Sequence, residues 1–253
     1  IEAQDMAQSG WNYTSDKDHI TISFWVKSSI THTFLFTLYT ADGTPQDYNV
    51  LFPVQADKWK KIILTVPGDP DITFDNNNDY GLQLMWNPYL GSHYTSGSTV
   101  NRWRDHAGYT SRPDMDNKWW KTASTFEITG VQLELGQNAT EFEHRSRGEE
   151  LLLCQRYYEG IIMGTGTALM RTYTNTAGSP TNVSNVEYNY KVEKRATPTW
   201  SLEGNATWHP SGTSGMTAYP STSTCLFQRN DTTHQFLADG VGDLCGSFSA
   251  EFS

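Results

Sequence analysis

The chain has 253 residues, of which 37% are apolar and 13% aromatic, so it can bury a substantial core as one large β domain or two ordinary domains. Its 28 acidic and 18 basic side chains give a net charge of −10, which disfavours nucleic acid and anionic membranes as partners. No apolar run approaches the roughly 18 residues that span a bilayer, so we expect no membrane insertion.

Strands are predicted along the first part of the chain wherever apolar and polar residues alternate between turn residues. The first such run, 20–26, places four apolar side chains on one face: Ile20, Ile22, Phe24 and Val26. Runs rich in β-branched and aromatic residues predict further strands at 33–39, 59–66 and 81–86. The clearest predicted strand is 126–135, in which Gly130 marks a bulge or bend.

One helix is predicted, at 147–159. Ser146 and Glu149 have the spacing of a capping box, in which each side chain bonds the other residue's backbone N–H, and Gly160 is a suitable helix end. Four side chains fall near one face of this helix: Leu151, Cys154, Tyr157 and Tyr158. After the helix we predict strands at 186–192, 196–200 and 248–252, and a surface loop or exposed hairpin at 204–224.

Many short strands with a single helix predict an all-β fold of the jelly-roll or β-sandwich type. We predict a jelly-roll domain over 1–145, a linker helix over 146–160 and a second β-rich domain over 161–253. Position 1 is Ile rather than Met, so we expect the chain to be a piece of a longer protein or a processed product.

The sequence has no motif typical of a known catalytic or metal centre. Its three cysteines, Cys154, Cys225 and Cys245, are irregularly spaced, which favours free thiols over a zinc site or a Cys225–Cys245 disulfide. Paired carboxylates such as Glu127 and Glu134 can serve a glycosidase, but both are typical of outward strand positions, so we predict no enzyme activity. We expect no cofactor, and leave open one structural calcium near the acidic turn 69–79.

Three stretches around the predicted helix carry a resemblance to a known family. Residues 128–136 read ITGVQLELG, residues 139–145 read ATEFEHR, and residues 149–158 read EELLLCQRYY. This sequence resembles a module of tail fibres and other appendages of tailed bacteriophages, whose pattern is approximately TGVQLEVG, ATxFEHR and GEELxLCQRYY. Residues 194–199, KRATPT, are similar to the MRATPT-like strand of that family, with Lys194 where Met is usual.

The resemblance implies a jelly roll like that of carbohydrate-binding modules, followed by a linker helix and a β-rich terminal domain of a trimeric appendage. It implies a virion protein, assembled in the host cytoplasm, whose partners are two further copies of itself, other virion proteins and host-surface polysaccharide or lipopolysaccharide. It suggests no reaction. A purely architectural virion protein, such as a head-decoration fibre or an adaptor, and a glycan-degrading tailspike are the alternatives.

Aromatic residues interleaved with polar ones form the candidate binding site. Sugars stack their C–H faces on aromatic rings while polar side chains bond their hydroxyls. The candidate glycan-binding residues are Tyr89, Tyr94, Trp103, Tyr109 and Trp119. Packing of these rings in the core or between subunits is the alternative for each of them. Three further tryptophans are interpreted as structural because they lie in strong predicted strands: Trp25, Trp59 and Trp200.

Overall fold

The structure is a computed structural model. It describes residues 1–91, 94–95, 100–106, 113, 115, 119, 123–163, 168–171, 183–202, 207–209, 216–230, 235–237 and 243–251. The secondary structure is mostly antiparallel β, which confirms the predicted all-β class. The chain divides into two compact units, Ile1–His144 and Arg145–Ser253.

The first unit is a β-sandwich built from two antiparallel sheets. Its elements are α1 (Ala3–Ala7), β1 (His19–Ser28), β2 (His32–Thr40), β3 (Gln46–Val54), β4 (Lys60–Pro67), β5 (Leu82–Asn87), β6 (Trp103–Asp105) and β7 (Phe126–Leu135). Strands β4, β1 and β7 form one sheet in that order, and β5, β2, β3 and β6 form the other. Buried side chains from both sheets make one hydrophobic core.

Strand β1 buries the face that the alternation predicts. The Phe24 ring lies 5.8 Å from the Phe36 ring and 5.5 Å from the Phe52 ring, so aromatic contacts join β1 to the facing sheet. The four predicted inward side chains are all fully buried: Ile20, Ile22, Phe24 and Val26. Strands β2, β4 and β5 likewise lie where alternation and β-forming residues predict strands.

Strand β7 contains the predicted bulge at Gly130. This glycine has a φ of +59°, in the left-handed region, and the register between β1 and β7 shifts between Ser23 and Trp25. A Cβ atom at position 130 would lie 3.4 Å from the Trp25 ring. That distance is an ordinary van der Waals contact, so the left-handed backbone conformation, and not the adjacent indole, favours glycine here.

Two strands of the first unit, β3 and β6, lie where the sequence predicts none. Strand β3 pairs with β2 along its whole length but with β6 only over its first three residues, 46–48. Pro53 therefore lies where β3 is an edge among the described strands, and an edge position tolerates its missing N–H donor. This proline obscures the strand in the sequence.

The second unit contains a helix and nine strands within its described residues. These are α2 (Arg147–Gln155), β8 (Tyr158–Met163), β9 (Ala168–Arg171), β10 (Val183–Asn189), β11 (Thr199–Leu202), β12 (Thr207–His209), β13 (Met216–Pro220), β14 (Thr224–Asn230), β15 (Gln235–Leu237) and β16 (Asp243–Ser249). They form three antiparallel sheets with the orders β10-β14-β13, β11-β16-β8 and β12-β15-β9.

Helix α2 is shorter than predicted, because residues 158 and 159 of the predicted helix belong to strand β8 instead. It ends at Gln155 rather than 159, and the backbone pairs Tyr158 with Ser249 and Gly160 with Ser247 of β16. The prediction that Tyr157 and Tyr158 share a helix face with Leu151 and Cys154 was therefore wrong. Gly160 lies inside strand β8 and does not end the helix. Pairing with a distant strand outweighs local helix propensity here.

The predicted loop or hairpin over 204–224 was wrong in part, because β12 and β13 lie within it and pair with β15 and β14. The predicted closing strand 248–252 lies earlier, as β16.

Cys225 is a free, buried thiol of β14, and burial raises its pKa to about 11. Cys154 is also free, but exposed.

Candidate functional site

The three candidate tyrosines differ in how the structure places them. Tyr94 is 45% exposed, and Tyr89 is half-buried just after β5. Tyr109 lies outside the described residues. The tyrosine part of the predicted glycan site therefore stays a prediction, with Tyr94 as its exposed member.

The two candidate tryptophans of this region contribute to packing. Trp103 is 7% exposed, its Nε1 donates a hydrogen bond to the Pro67 carbonyl at 2.6 Å, and its ring lies 5.3 Å from Tyr48. Trp119 is half-buried, and its ring lies edge-on to Phe34 at 5.6 Å. Both rings thus pack against the core, the role that the sequence left as the alternative, and Trp119 keeps part of its surface exposed.

A groove lies at one end of the first unit, between the β1–β2 connection, the end of β3 and the start of β4. Its volume is about 680 Å³, within the roughly 300–1,000 Å³ typical of small-ligand sites. The described residues that line it are Thr31, His32, Thr33, Pro53, Val54, Gln55, Lys58, Trp59 and Lys60. The lining combines apolar surface with hydrogen-bonding and cationic groups.

Backbone contacts fix the connection that carries Trp59. Ser28 forms a parallel bridge with Ala56, whose N–H donates a hydrogen bond to Thr31 Oγ1 at 3.0 Å. Asp57 has a φ of +56°, and its N–H donates to the Ser28 carbonyl at 2.7 Å. The connection is therefore held against the β1–β2 connection, and the groove wall has a defined position.

Trp59 and Trp25 are exposed, so neither packs in the core of the first unit; a structural role between subunits stays a prediction for both. Trp59 is 46% exposed and Trp25 is 42% exposed. Trp25 alternates with Phe24 and Val26, so the period that buries those two directs Trp25 outward. Trp59 precedes β4, which begins at Lys60, and so lies outside the sheet. Of these two tryptophans, Trp59 alone lines the groove.

Lys27 lies over the Trp59 ring, and Lys58 and Lys60 flank Trp59 in sequence and line the same groove. Lys27 Nζ lies 5.9 Å from the ring centroid, within the range of a cation–π contact. Lys58 Nζ donates to Gln55 Oε1 at 3.3 Å, and Lys60 Nζ donates to a backbone carbonyl of β3 at 2.8 Å. Each ammonium has three N–H donors, and each of these bonds uses one. The groove therefore presents cationic donors beside a partly exposed indole, one face of which has Lys27 over it.

The carboxylates considered for a glycosidase pair lie far apart. Glu127 forms an ion pair with Lys27 at 3.0 Å and lies opposite it in the β1–β7 ladder. Glu134 lies opposite Thr21, six residues away along β1. At about 3.3 Å per residue the two positions are roughly 20 Å apart, beyond the about 5–9.5 Å of glycosidase carboxylate pairs. These two residues therefore do not form such a pair.

Glu134 instead anchors the segment that follows β7. It accepts hydrogen bonds from the hydroxyl and the N–H of Thr140, while Gln132 accepts one from the Glu143 N–H at 2.7 Å. The bond from the Thr140 hydroxyl lowers the pKa of the Glu134 carboxyl. These bonds join residues of the first two family-like stretches, 128–136 and 139–145. The fold therefore accounts for the spacing between them.

Helix α2 begins with the predicted capping box and exposes apolar surface. Ser146 Oγ accepts from the Glu149 N–H at 3.3 Å, and the Glu149 carboxylate accepts from the Ser146 N–H at 3.0 Å. Successive helical residues project about 100° apart, so three consecutive leucines cover about 200° of the helix surface. They are exposed by 53, 51 and 48%, respectively: Leu151, Leu152 and Leu153.

A buried ion pair joins Glu159 of β8 to Lys194. Glu159 Oε2 and Lys194 Nζ are 2.7 Å apart, and the two side chains are 1% and 0% exposed. The Tyr188 hydroxyl and the Lys191 N–H also donate to Glu159, and Lys194 also donates to the Gln155 carbonyl. Burial raises the pKa of Glu159, but the hydrogen bonds and the charge of Lys194 outweigh it, so the pKa is lowered.

Among the described residues, no three His, Cys, Asp or Glu side chains are grouped so that they could hold a metal ion. At the acidic turn considered for calcium, Asp69 accepts from the Asp71 N–H and Asp42 accepts from the Asp75 N–H. A structural calcium there stays a prediction.

The described part of the chain contains no helix with the length and apolar character needed to cross a membrane.

Comparisons with protein-family models, with curated proteins and with solved structures find no match to this chain. The family resemblance therefore rests on the residues quoted above. Function has to be argued from the chemistry of the groove and from the exposed surfaces.

Proposed function

We propose that this chain is a subunit of a tailed-bacteriophage appendage, a tail fibre or spike, that contacts host-surface glycans during adsorption. The observation that carries the proposal is the groove beside Trp59, where an exposed indole lies next to hydroxyl, amide and ammonium groups. A sugar ring has apolar C–H faces and a rim of hydroxyls, so it needs both kinds of partner at once. The role is binding, without catalysis.

The proposal includes assembly as a homotrimer within the virion, after synthesis in the host cytoplasm and together with other virion proteins. Helix α2 supports it, because its leucines face outward on more than one side, as packing against two neighbours requires. Three copies raise the effective concentration of the groove at a glycan surface, so weak single sites give firm attachment.

The test is binding of the full chain to a panel of immobilised bacterial polysaccharides and lipopolysaccharides. We expect Trp59→Ala to weaken binding about tenfold or more, because a lost aromatic contact costs on the order of 1–2 kcal/mol per site and three sites multiply the loss. Trp25→Ala is the matched control, since it removes a similarly exposed indole outside the groove. Binding that is unchanged by Trp59→Ala, or weakened equally by both changes, contradicts the proposal.

A purely architectural virion protein, such as a head-decoration fibre or an adaptor, is the second candidate. The exposed leucines of α2 favour it, because they indicate assembly without indicating a ligand. Light scattering near three times 28.6 kDa, with no saccharide bound, would support this candidate over adsorption. A glycan-degrading tailspike would instead release reducing ends from a bound polysaccharide, which a reducing-sugar assay measures.

A further inference from the structure

We infer that the Trp59 groove takes an acidic saccharide, whose carboxylate or phosphate is held by Lys58 and Lys60 while its ring stacks on the indole. The inference rests on the proposed glycan-binding function and names the class of sugar. Three features of the groove support it: its local charge, the tethering of its lysines and its remaining polar groups. The net charge of the chain disfavours a nucleic acid as the anion.

The groove is locally cationic in an acidic chain. The net charge of the chain is −10, yet with His32 neutral the charged residues among the described lining are Lys58 and Lys60. The neighbouring charges balance approximately, since Lys27 pairs with Glu127. The exposed Asp57, beside Lys58 in sequence, removes part of the positive charge but does not line the groove. An anion is therefore attracted here, on a molecule that repels anions overall.

Each of the two lysines makes one hydrogen bond within the protein before any ligand arrives. Lys58 is tethered to Gln55, and Lys60 is tethered to the carbonyl at the end of β3. Ordering a long lysine side chain costs conformational entropy, and a tethered ammonium has already lost part of it. The remaining N–H donors of each ammonium can make charge-assisted hydrogen bonds to a carboxylate or phosphate.

An acidic sugar matches the whole lining, whereas a neutral sugar leaves the ammonium groups to water. The Trp59 face takes the C–H side of the ring, and Thr31, Thr33 and Gln55 supply polar groups for the hydroxyls. Two sources supply the anion on bacterial surfaces: the carboxylate of a uronic-acid polymer and the phosphate of a lipopolysaccharide core. A long nucleic acid is disfavoured by the net charge of the chain.

The experiment measures binding of the full chain to pairs of saccharides that differ only in the anion. Polygalacturonate is compared with its methyl ester, and a phosphorylated lipopolysaccharide core oligosaccharide with its dephosphorylated form. Lys58→Gln and Lys60→Gln are the variants, and Lys17→Gln is the matched control, because Lys17 is an exposed lysine before the opposite end of β1. Circular dichroism checks that each variant folds.

We expect at least one acidic saccharide to bind more tightly than its neutral partner, and each groove variant to weaken that binding about tenfold, the loss expected for one charge-assisted hydrogen bond. Lys17→Gln should bind like the parent. Which acidic saccharide binds identifies the source of the anion.

Several results would overturn the inference. If the acidic and neutral partners bind equally, and Trp59→Ala still abolishes binding, the sugar class is wrong while the proposed function stands. The same holds if both lysine variants bind like the parent. Equal competition by a single-stranded oligonucleotide would show recognition of charge alone. If no saccharide binds, or Trp59→Ala changes nothing, the inference and the proposed function both fall.

Discussion

Replacing Lys194 with Met tests what holds the second unit together. Lys194 Nζ lies 2.7 Å from Glu159 Oε2, and both side chains are almost completely shielded from solvent. Methionine has a similar length but no charge, so Lys194→Met removes the cation and leaves the carboxylate buried. The phage-appendage pattern usually has Met at this position, so the variant also restores the residue that the resemblance leads one to expect.

We expect Lys194→Met to lower the free energy of unfolding of the second unit by about 3 kcal/mol at pH 7. Removing one partner of a buried ion pair costs about 3–5 kcal/mol, because the other charge stays buried without its partner. The lower end applies, since the Tyr188 hydroxyl and the Lys191 N–H still donate to Glu159. Adding Glu159→Gln removes the remaining charge and should recover much of the loss.

The pH dependence separates a lost charge from lost packing. In the parent, burial raises the pKa of Glu159, but the Lys194 contacts and other hydrogen bonds outweigh it, and the pKa is lowered. This stabilisation is present above the unfolded pKa of about 4.3 and is lost as pH falls through the folded pKa. Without Lys194, burial is opposed only by the bonds from Tyr188 and Lys191, so we expect the pKa of Glu159 to rise. The penalty should then be present at pH 7 and shrink as pH falls toward 4.5.

Differential scanning calorimetry at pH 7 and at pH 4.5 measures these changes, because it can resolve separate transitions of two compact units. Lys191→Met is the matched control: it changes an exposed lysine three residues away and keeps the backbone N–H that bonds Glu159. If Lys194→Met destabilises the protein equally at both pH values, the loss comes from packing and the electrostatic reasoning is refuted.

Three further substitutions test a helix cap, a bulge glycine and a side-chain hydrogen bond. Ser146→Ala removes the helix cap, so we expect a local loss of about 1 kcal/mol and faster limited proteolysis near 145–150; unchanged protection would mean that packing alone holds the helix. Gly130→Ala forces a residue with a side chain into the left-handed region, so we expect a lower Tm and a free energy of unfolding reduced by about 1–2 kcal/mol. An unchanged Tm would argue that the bulge relaxes. Thr140→Val removes the hydroxyl that lowers the pKa of Glu134. Its destabilisation should therefore be largest above about pH 4.3 and fade as pH falls through the folded pKa, and thermal unfolding with no such trend would contradict this.

Local pattern predicted those parts of the fold that depend on neighbouring residues. The alternation in β1 predicted the buried face that contains Phe24, and the spacing of Ser146 and Glu149 predicted the capping box. The end of α2 could not be predicted in this way, because the pairing of Tyr158 with Ser249 joins positions 91 residues apart. The residues after Gln155 keep a helical pattern in sequence, but pairing with β16 places them in a strand. The sequence around the helix carries no information about β16.

The groove was also beyond local pattern, because it combines three separate stretches: 31–33, 53–55 and 58–60. The pairing of β2 with β3 and the bridge between Ser28 and Ala56 bring these stretches together. Alternation with Phe24 and Val26 does predict that Trp25 points outward, but Trp25 lies outside the groove. The exposure of Trp59 had no comparable signal, since its place just before β4 depends on where that strand begins.

The resemblance and the groove carry different kinds of information. The family-like stretches from 128 to 158 bond one another or cap α2, so their sequence is constrained by the fold and says little about a ligand. Gln55 and Lys58, in contrast, are exposed residues of a surface connection, where substitution usually changes stability little. Two chains could therefore share the whole pattern and bind different sugars. It follows that the ligand must be inferred from the groove itself, whose indole and lysines favour an acidic saccharide.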